Sequence, residues 1–384
     1  MKLIYLDNAT TTALDPEVLE AMKPYFSEWY GVPTHEYGHS FGLKAREALE
    51  KSREVVARSI GAEPDEIIFT SGGTESNNLA IKGAALAGKD RSRIITSMIE
   101  HSSVLNVVRS LGTAGFQTSY LRVDGEGFVD LEELKEKIDD QTLLVSIQHA
   151  NQEIGTIQDI EEIGRICREK GVLFHVDAVQ SFTKVPIDVE RMNIDLLSIS
   201  AHKIHGPKGV GALYVREGVK LKPLIEGEHH EFGLRSGTEN IPGIVGFAKA
   251  IEVADESHVE HMRRLRDRLI DGLLEIGDSR LNGPRGDRRL CNNVNVTFKY
   301  VEGESVLLHL DMRGIIVTTG SACFSKTLQP SHVILALGLK HEDAHGSVRF
   351  SLSKYNTMDE MNYTIRNVRE VIEGLRAISP VGRR

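Results

Sequence analysis

The sequence predicts an α/β protein, with a large domain built on a mostly parallel sheet and a smaller α+β domain. Between Glu66 and Val215, apolar runs of strand length recur, mostly with helical patterns between them. That repeat belongs to a parallel sheet covered on both faces. After about Asp255 the texture changes to a charged helix and shorter alternating strands. A chain of 384 residues is long enough for two such units. The large domain is expected over 15–255, and the small one over 1–14 and 256–384.

Taken in order, Pro16 behind Asp15 opens a helix running to about Gly31. Leu43, Ala48, Leu49, Val55 and Val56 mark a longer helix over Phe41–Ile60. Strand Glu66–Thr70 leads through Ser71-Gly72-Gly73-Thr74 into a helix, and Arg93–Met98 leads through Glu100-His101 into another. Strands follow at Thr142–Ile147, at Val172–Val176 ending on Asp177, at Leu196–Ser200 before Lys203, and at Gly209–Val215. The second part reads as helix His258–Ile276, strand Val294–Phe298, helix Ser305–Met312, strand Ile315–Thr318, helix Ser331–Leu337, strand Ser347–Leu352 and helix Met358–Leu375.

A net charge of −9 with no basic cluster argues against nucleic acid as a partner. No apolar run approaches the ~20 residues of a membrane span. The acidic N-terminal stretch lacks the pattern of a signal peptide, so the expected location is the cytoplasm. Cys167, Cys291 and Cys323 form no CxxC pair and suit neither a disulfide framework nor a metal site. Cys167 and Cys291 read as packing residues. Cys323 sits among small residues between a strand and a helix, where an accessible thiol is expected.

Chemistry-bearing residues collect at the strand ends, where ligands of open α/β sheets bind. Ser71-Gly72-Gly73-Thr74 offers free N–H groups at a helix start, suited to a phosphate or to an ordinary capped turn. Asp177 ends a buried strand and needs a partner, such as a protonated pyridine nitrogen. His101 is placed to stack on a planar ring, and Gln180 to reach the same ring's oxygen. Lys203, at the end of its strand, suits either a solvated loop lysine or an amine nucleophile toward an aldehyde. Arg349, alternating with apolar residues, suits either a structural ion pair or a clamp on a substrate carboxylate. Together they make a coherent pyridoxal 5'-phosphate site.

The chain resembles the NifS/IscS-like cysteine desulfurases, within the class-V, fold-type-I pyridoxal-phosphate enzymes. The resemblance runs end to end through Tyr5-Leu6-Asp7-Asn8-Ala9, Phe69–Glu75, Glu100-His101, His149-Ala150-Asn151, His175–Gln180, Ser200–Lys203, Arg235–Asn240 and Gly320–Cys323. It implies a seven-stranded, aspartate-aminotransferase-like large domain. It also implies conversion of L-cysteine to L-alanine, with sulfur passing to Cys323 as a persulfide. Lys203 would hold the cofactor and shuttle a proton. Gly73, Thr74, Ser200 and His202 would hold the phosphate, with Thr238 reaching in from the second subunit of a homodimer. His101 would stack on the ring, while Asp177 and Gln180 would bind its nitrogen and oxygen, and Asn151 and Arg349 the substrate carboxylate. The long segment after Cys323 resembles the branch that hands sulfur to an acceptor such as an iron–sulfur scaffold, where the cysteine can transiently share a cluster.

Departures from the family pattern are Gly31-Val32-Pro33-Thr34, the charged stretch Glu226–Glu231, and Asn151-Gln152-Glu153, in which Gln152 would meet the cofactor. The bulky charged stretch is expected to alter backbone freedom near the dimer interface. A selenocysteine lyase, or a sulfur-delivery subunit of low turnover, is compatible with the same residues. His35-Glu36-Tyr37-Gly38-His39 satisfies HExxH, but Gly38 and the lack of an evident third ligand speak against zinc. Gly83–Asp90 resembles a phosphate loop but follows a helix, so it reads as a helix end and turn.

Overall fold

The computed structural model describes residues 3–33, 38–88, 91–320 and 330–378. Twelve strands are formed among them. The first, β1 (Ile4–Tyr5), is followed by β2 (Ile67–Thr70), β3 (Arg93–Ser97), β4 (Gln117–Leu121), β5 (Thr142–Gln148), β6 (Leu173–Asp177), β7 (Leu196–Ser200) and β8 (Gly211–Val215). Then come β9 (Ser279–Leu281), β10 (Asn293–Phe298), β11 (Ile315–Ile316) and β12 (Ser347–Ser351). Seven strands make one sheet in the order β2-β8-β7-β6-β5-β3-β4. All neighbours are parallel except that β8 runs antiparallel to both β2 and β7.

Strand alternation sorts side chains to the two faces of this sheet. Phe174, Val176, Leu197 and Ile199 pack with helices Ser40–Arg58, Ile160–Lys170 and Ile241–Glu252 on one face. Ile68, Ile94, Leu144 and Leu196 pack with helices Gly73–Ala87 and Ser102–Thr113 on the other. Asp177 and Ser200 therefore point to the side of those two helices, each at the carboxyl end of its strand. A separate core joins β1, β10 and β12 to helices Glu256–Leu274, Gly303–Asp311 and Met358–Ile378.

Several elements differ from the sequence expectation. The first helix stops at Met22, and Pro24 begins a separate turn to Ser27, because proline has no N–H to donate to the preceding turn. The edge strand β4, helix Leu131–Lys137 and helix Ile241–Glu252 were not anticipated. Gln117-Thr118-Ser119-Tyr120-Leu121 has one fully buried position, Leu121, so little apolar signal marks it. His35 and Glu36 lie outside the described residues, while His39 caps helix Ser40–Arg58, its Nδ1 accepting from the Gly42 N–H. Gly83–Ala87 complete helix Gly73–Ala87, in line with the helix-end reading.

The charged stretch ending at Glu231 is anchored to the large sheet. Glu231 and Phe232 take left-handed φ values of 43° and 55°. The Glu231 carboxylate accepts two bonds of 2.8 Å from the Arg53 guanidinium and a third, of 2.7 Å, from the Phe69 N–H. Both side chains of this pair are 3% exposed. Removing one partner from such a pair strands a buried charge, so Arg53→Met is expected to lower the unfolding free energy by about 3–5 kcal/mol. A urea unfolding midpoint at the wild-type value would contradict this.

Candidate active site

The carboxyl ends of β5, β6 and β7 and the start of helix Gly73–Ala87 surround a cavity of about 240 Å³. Gly73, Thr74, His101, Gln152, Asp177, Gln180, Ser200, His202 and Lys203 all line it. Within it, Gly73 lies so close to Val179 that a Cβ there would fall 2.5 Å from a Val179 methyl. The Ser200 hydroxyl is buried and has no hydrogen-bond partner. A buried hydroxyl beside free helix N–H groups fits a phosphate ester.

Asp177 is held from two sides. One carboxylate oxygen accepts from the Val179 N–H at 3.0 Å, and the other from the Asn77 side-chain amide at 2.8 Å. The same Asn77 amide donates to the Ser103 hydroxyl at 2.8 Å. That hydroxyl lies 2.7 Å from His101 Nδ1, which also accepts from the Ser103 N–H. With two donors at Nδ1, a neutral His101 carries its proton on Nε2. Burial lowers the His101 pKa, with Lys203 adding to that and Asp177 opposing it, which favours the neutral ring. Neither Asn77 nor Ser103 was anticipated. Asn77 was detectable, because it lies one helical turn beyond Gly73 on the face toward the sheet.

Lys203 stands in a short turn after β7, its Nζ donating to the carbonyls of Ala9 at 2.5 Å and Thr10 at 2.7 Å. Burial pushes its pKa down to about 8, helped by Arg349 and Lys184. Lys184, also not anticipated, donates to the carbonyls of Lys203 and Gln180 from behind. Gln180 donates to the Ala9 carbonyl at 2.9 Å. His202 Nδ1 lies 3.2 Å from the Thr11 hydroxyl, and burial lowers its pKa to about 4, so the ring is neutral. Burial raises the pKa of fully buried Glu100 to about 8, which favours its uncharged form beside Asp177.

The remaining expected residues are placed differently. Arg349, on β12, does not line the cavity. It donates to Asp7 at 2.8 Å, to the Thr10 hydroxyl at 2.9 Å and to the Gln152 carbonyl at 3.2 Å, leaving its buried Nε without a partner. Asn151 is fully buried and builds its own turn. Its side-chain oxygen accepts from the N–H groups of Glu153 and Ile154, and its amide donates to the Ile99 carbonyl. One amide N–H is left for any other partner. Thr238 is exposed and does not line the cavity of its own chain. Cys323 lies outside the described residues; Cys167 and Cys291 are buried free thiols.

Residues 4–363 match the family model described as aminotransferase class-V. The chain belongs to the class-V aminotransferase family. This member is 52% identical over 382 residues to the cysteine desulfurase IscS of Dictyoglomus turgidum, covering 98% of this chain and 96% of that one. It is 50% identical to the cysteine desulfurase IscS of Methanosarcina thermophila, over 99% and 94% of the two chains. A solved NifS-like protein superposes with a TM-score of 0.91 at 42% identity, over 97% of this chain and all of that one. A structure described as SspA in complex with cysteine gives 0.83 at 39%, over 92% and 100%. Enzymes of this class-V kind use pyridoxal phosphate, and the lining described above fits that group.

A hydrogen bond to a charged group contributes roughly 1.5–3 kcal/mol. Asn77→Leu removes the donor to Asp177 at nearly constant volume. It is therefore expected to weaken pyridoxal phosphate binding by about tenfold to a hundredfold, measured by fluorescence titration of the apoenzyme.

Proposed function

We propose that this chain is a pyridoxal-phosphate-dependent cysteine desulfurase that converts L-cysteine to L-alanine and leaves the sulfur on Cys323 as a persulfide. The observation that carries this reading is the Lys203 amine, lowered to about 8, at the edge of a cavity that ends on Asp177 and Ser200. The full-length similarity to chains named cysteine desulfurase supports it.

When bound, pyridoxal phosphate supplies an electron sink for the substrate's α-carbon. Gly73, Thr74, Ser200 and His202 would hold the phosphate, Asp177 the ring nitrogen, Gln180 and Gln152 the ring's polar edge, and His101 would lie against the ring. Lys203, whose amine is lowered to about 8, would be the residue that holds the group at its aldehyde and the base that moves a proton of the substrate. Arg349 offers its free Nε, and Asn151 its one remaining N–H, to the substrate carboxylate. The Cys323 thiolate attacks the substrate sulfur, so that an S–S bond forms as the carbon–sulfur bond breaks. The bonding pair stays with the three-carbon fragment, which gains a proton and leaves as alanine.

The working unit in this reading is a cytoplasmic homodimer. Each chain pairs a large cofactor-binding domain (15–255) with a smaller domain (1–14 and 256–384) that carries the cysteine segment. Exposed Phe26, Tyr30 and Val32 offer apolar surface for a second subunit, and Thr238, turned away from its own cavity, is available to the partner's. Buried free Cys167 and Cys291 suit a reducing compartment, and no described helix is long and apolar enough to cross a membrane. The sulfur goes to a protein acceptor of the iron–sulfur scaffold type.

Lys203→Ala is expected to lose the yellow, borohydride-reducible cofactor adduct. Cys323→Ser is expected to keep the colour and release no sulfur; cysteine-dependent sulfide release at the wild-type rate from Cys323→Ser refutes the assignment. The pH dependence follows from the sign of the Lys203 shift. A protonated amine has no lone pair, so apoenzyme recombination with pyridoxal phosphate should accelerate with pH and level off above about 8, well below the ordinary lysine value of 10.5. Stopped-flow absorbance measures it, and a rate still climbing past pH 10 is inconsistent with a depressed Lys203.

A further inference from the structure

Among the described residues, no Lys or Arg side chain pairs with the buried carboxyl group of Glu153. It is 4% exposed, burial raises its pKa, and one oxygen, Oε1, has no hydrogen-bond partner. An apolar side chain would occupy the same space without that desolvation cost. The surroundings of Glu153 point to why an acid stands there. Its Oε2 accepts from the Ser331 hydroxyl at 2.7 Å, and Ser331 is itself buried. On the other side lies Gly320. A Cβ on Gly320 would overlap the Glu153 carboxyl group, so the chain at Gly320 passes in close contact with that group.

Gly320 and Ser331 flank the stretch that carries Cys323. We propose that Glu153 is a positioning residue for the sulfur-transfer half of the reaction, its carboxyl group meeting both ends of the segment that bears Cys323. The inference rests on the desulfurase reading for what that segment does.

The same turn also reaches the carbon half of the site. Gln152, next to Glu153, lines the cofactor cavity, and its carbonyl accepts from Arg349. Arg349 in turn exchanges backbone hydrogen bonds with Thr318, two residues before Gly320. Beyond Ser331, the His332 ring lies 3.1 Å from the Glu100 carbonyl, next to His101. Both ends of the segment are thus tied to turns that hold cofactor-site residues, and Glu153 is the side chain that touches both ends.

The test uses the full-length holoenzyme and three variants, Glu153→Gln, Glu153→Ala and Ser331→Ala. Cofactor absorbance, rapid-quench persulfide formation at Cys323 by mass, and the rate of Cys323 alkylation by iodoacetamide without substrate are followed. Misplacing a reacting group by about 1 Å costs up to about a hundredfold. Glu153→Ala is therefore expected to keep wild-type cofactor affinity, form persulfide at least about tenfold more slowly, and shift the alkylation rate. Glu153→Gln, which still accepts from Ser331, should stay within about threefold of wild type.

Glu153→Ala with wild-type persulfide and alkylation rates overturns the proposal. So does a loss matched by an equal loss of cofactor affinity. Should Glu153→Ala fail to fold, Ser331→Ala decides: slowed persulfide formation with the cofactor intact supports the proposal, and a wild-type rate ends it. A wild-type enzyme that forms neither alanine nor persulfide from cysteine defeats the desulfurase reading instead, while the alkylation comparison still reports on the anchor.

Discussion

A carboxylate removed from water must be hydrogen-bonded, and at Asp177 that constraint organises its neighbours. Both of its oxygens are occupied, by Asn77 from the helix after β2 and by the backbone of Val179. The Asn77 amide spends its second N–H on Ser103, and Ser103 fixes the hydrogen bonding of His101. One buried charge thereby sets the orientation of the ring expected to cover the cofactor. Burial of Glu100, close by, favours its uncharged form beside Asp177.

The other half of the site is built by the first residues of the chain. The carbonyls of Ala9 and Thr10 hold Lys203, and Asp7 with the Thr10 hydroxyl holds Arg349. An amine and a guanidinium at one site repel, and Arg349 is among the groups that lower Lys203. Asp7 lies between these demands: it pairs directly with Arg349 and acts against the lowering of Lys203.

Much of this was readable in the sequence because parallel strands put their chemistry at predictable places. Gly73, Asp177 and Ser200 each end a strand or begin a helix, Lys203 follows three residues after β7, and those boundaries are marked by apolar runs and turn residues. Residues that act through another side chain were invisible. Asn77, Ser103 and Lys184 lie inside or beside ordinary helices and turns, and only the packing of separate elements gives them partners. The edge strand β4 escaped for a related reason: a strand with one fully buried residue carries too little alternation to be seen. Asn151 shows the converse, a recognisable motif residue whose side chain is largely committed to its own turn.

The pairing of β1 with β11 and the contacts of Asn8 and Ala9 with Ser351 join the two extremes of the sequence. Asp7 is likewise tied to Arg349, across 342 positions of the chain. The segment that cradles Lys203 is therefore held from two sides, by Gln180 and His202 beside the large sheet and by Ser351 of β12, and the second side is added only when the last strand has left the ribosome. A nascent chain can complete the seven-stranded sheet well before that point, with the lysine present and the segment beside it held from one side. The setting of Lys203 is thus completed only in a chain that includes β12.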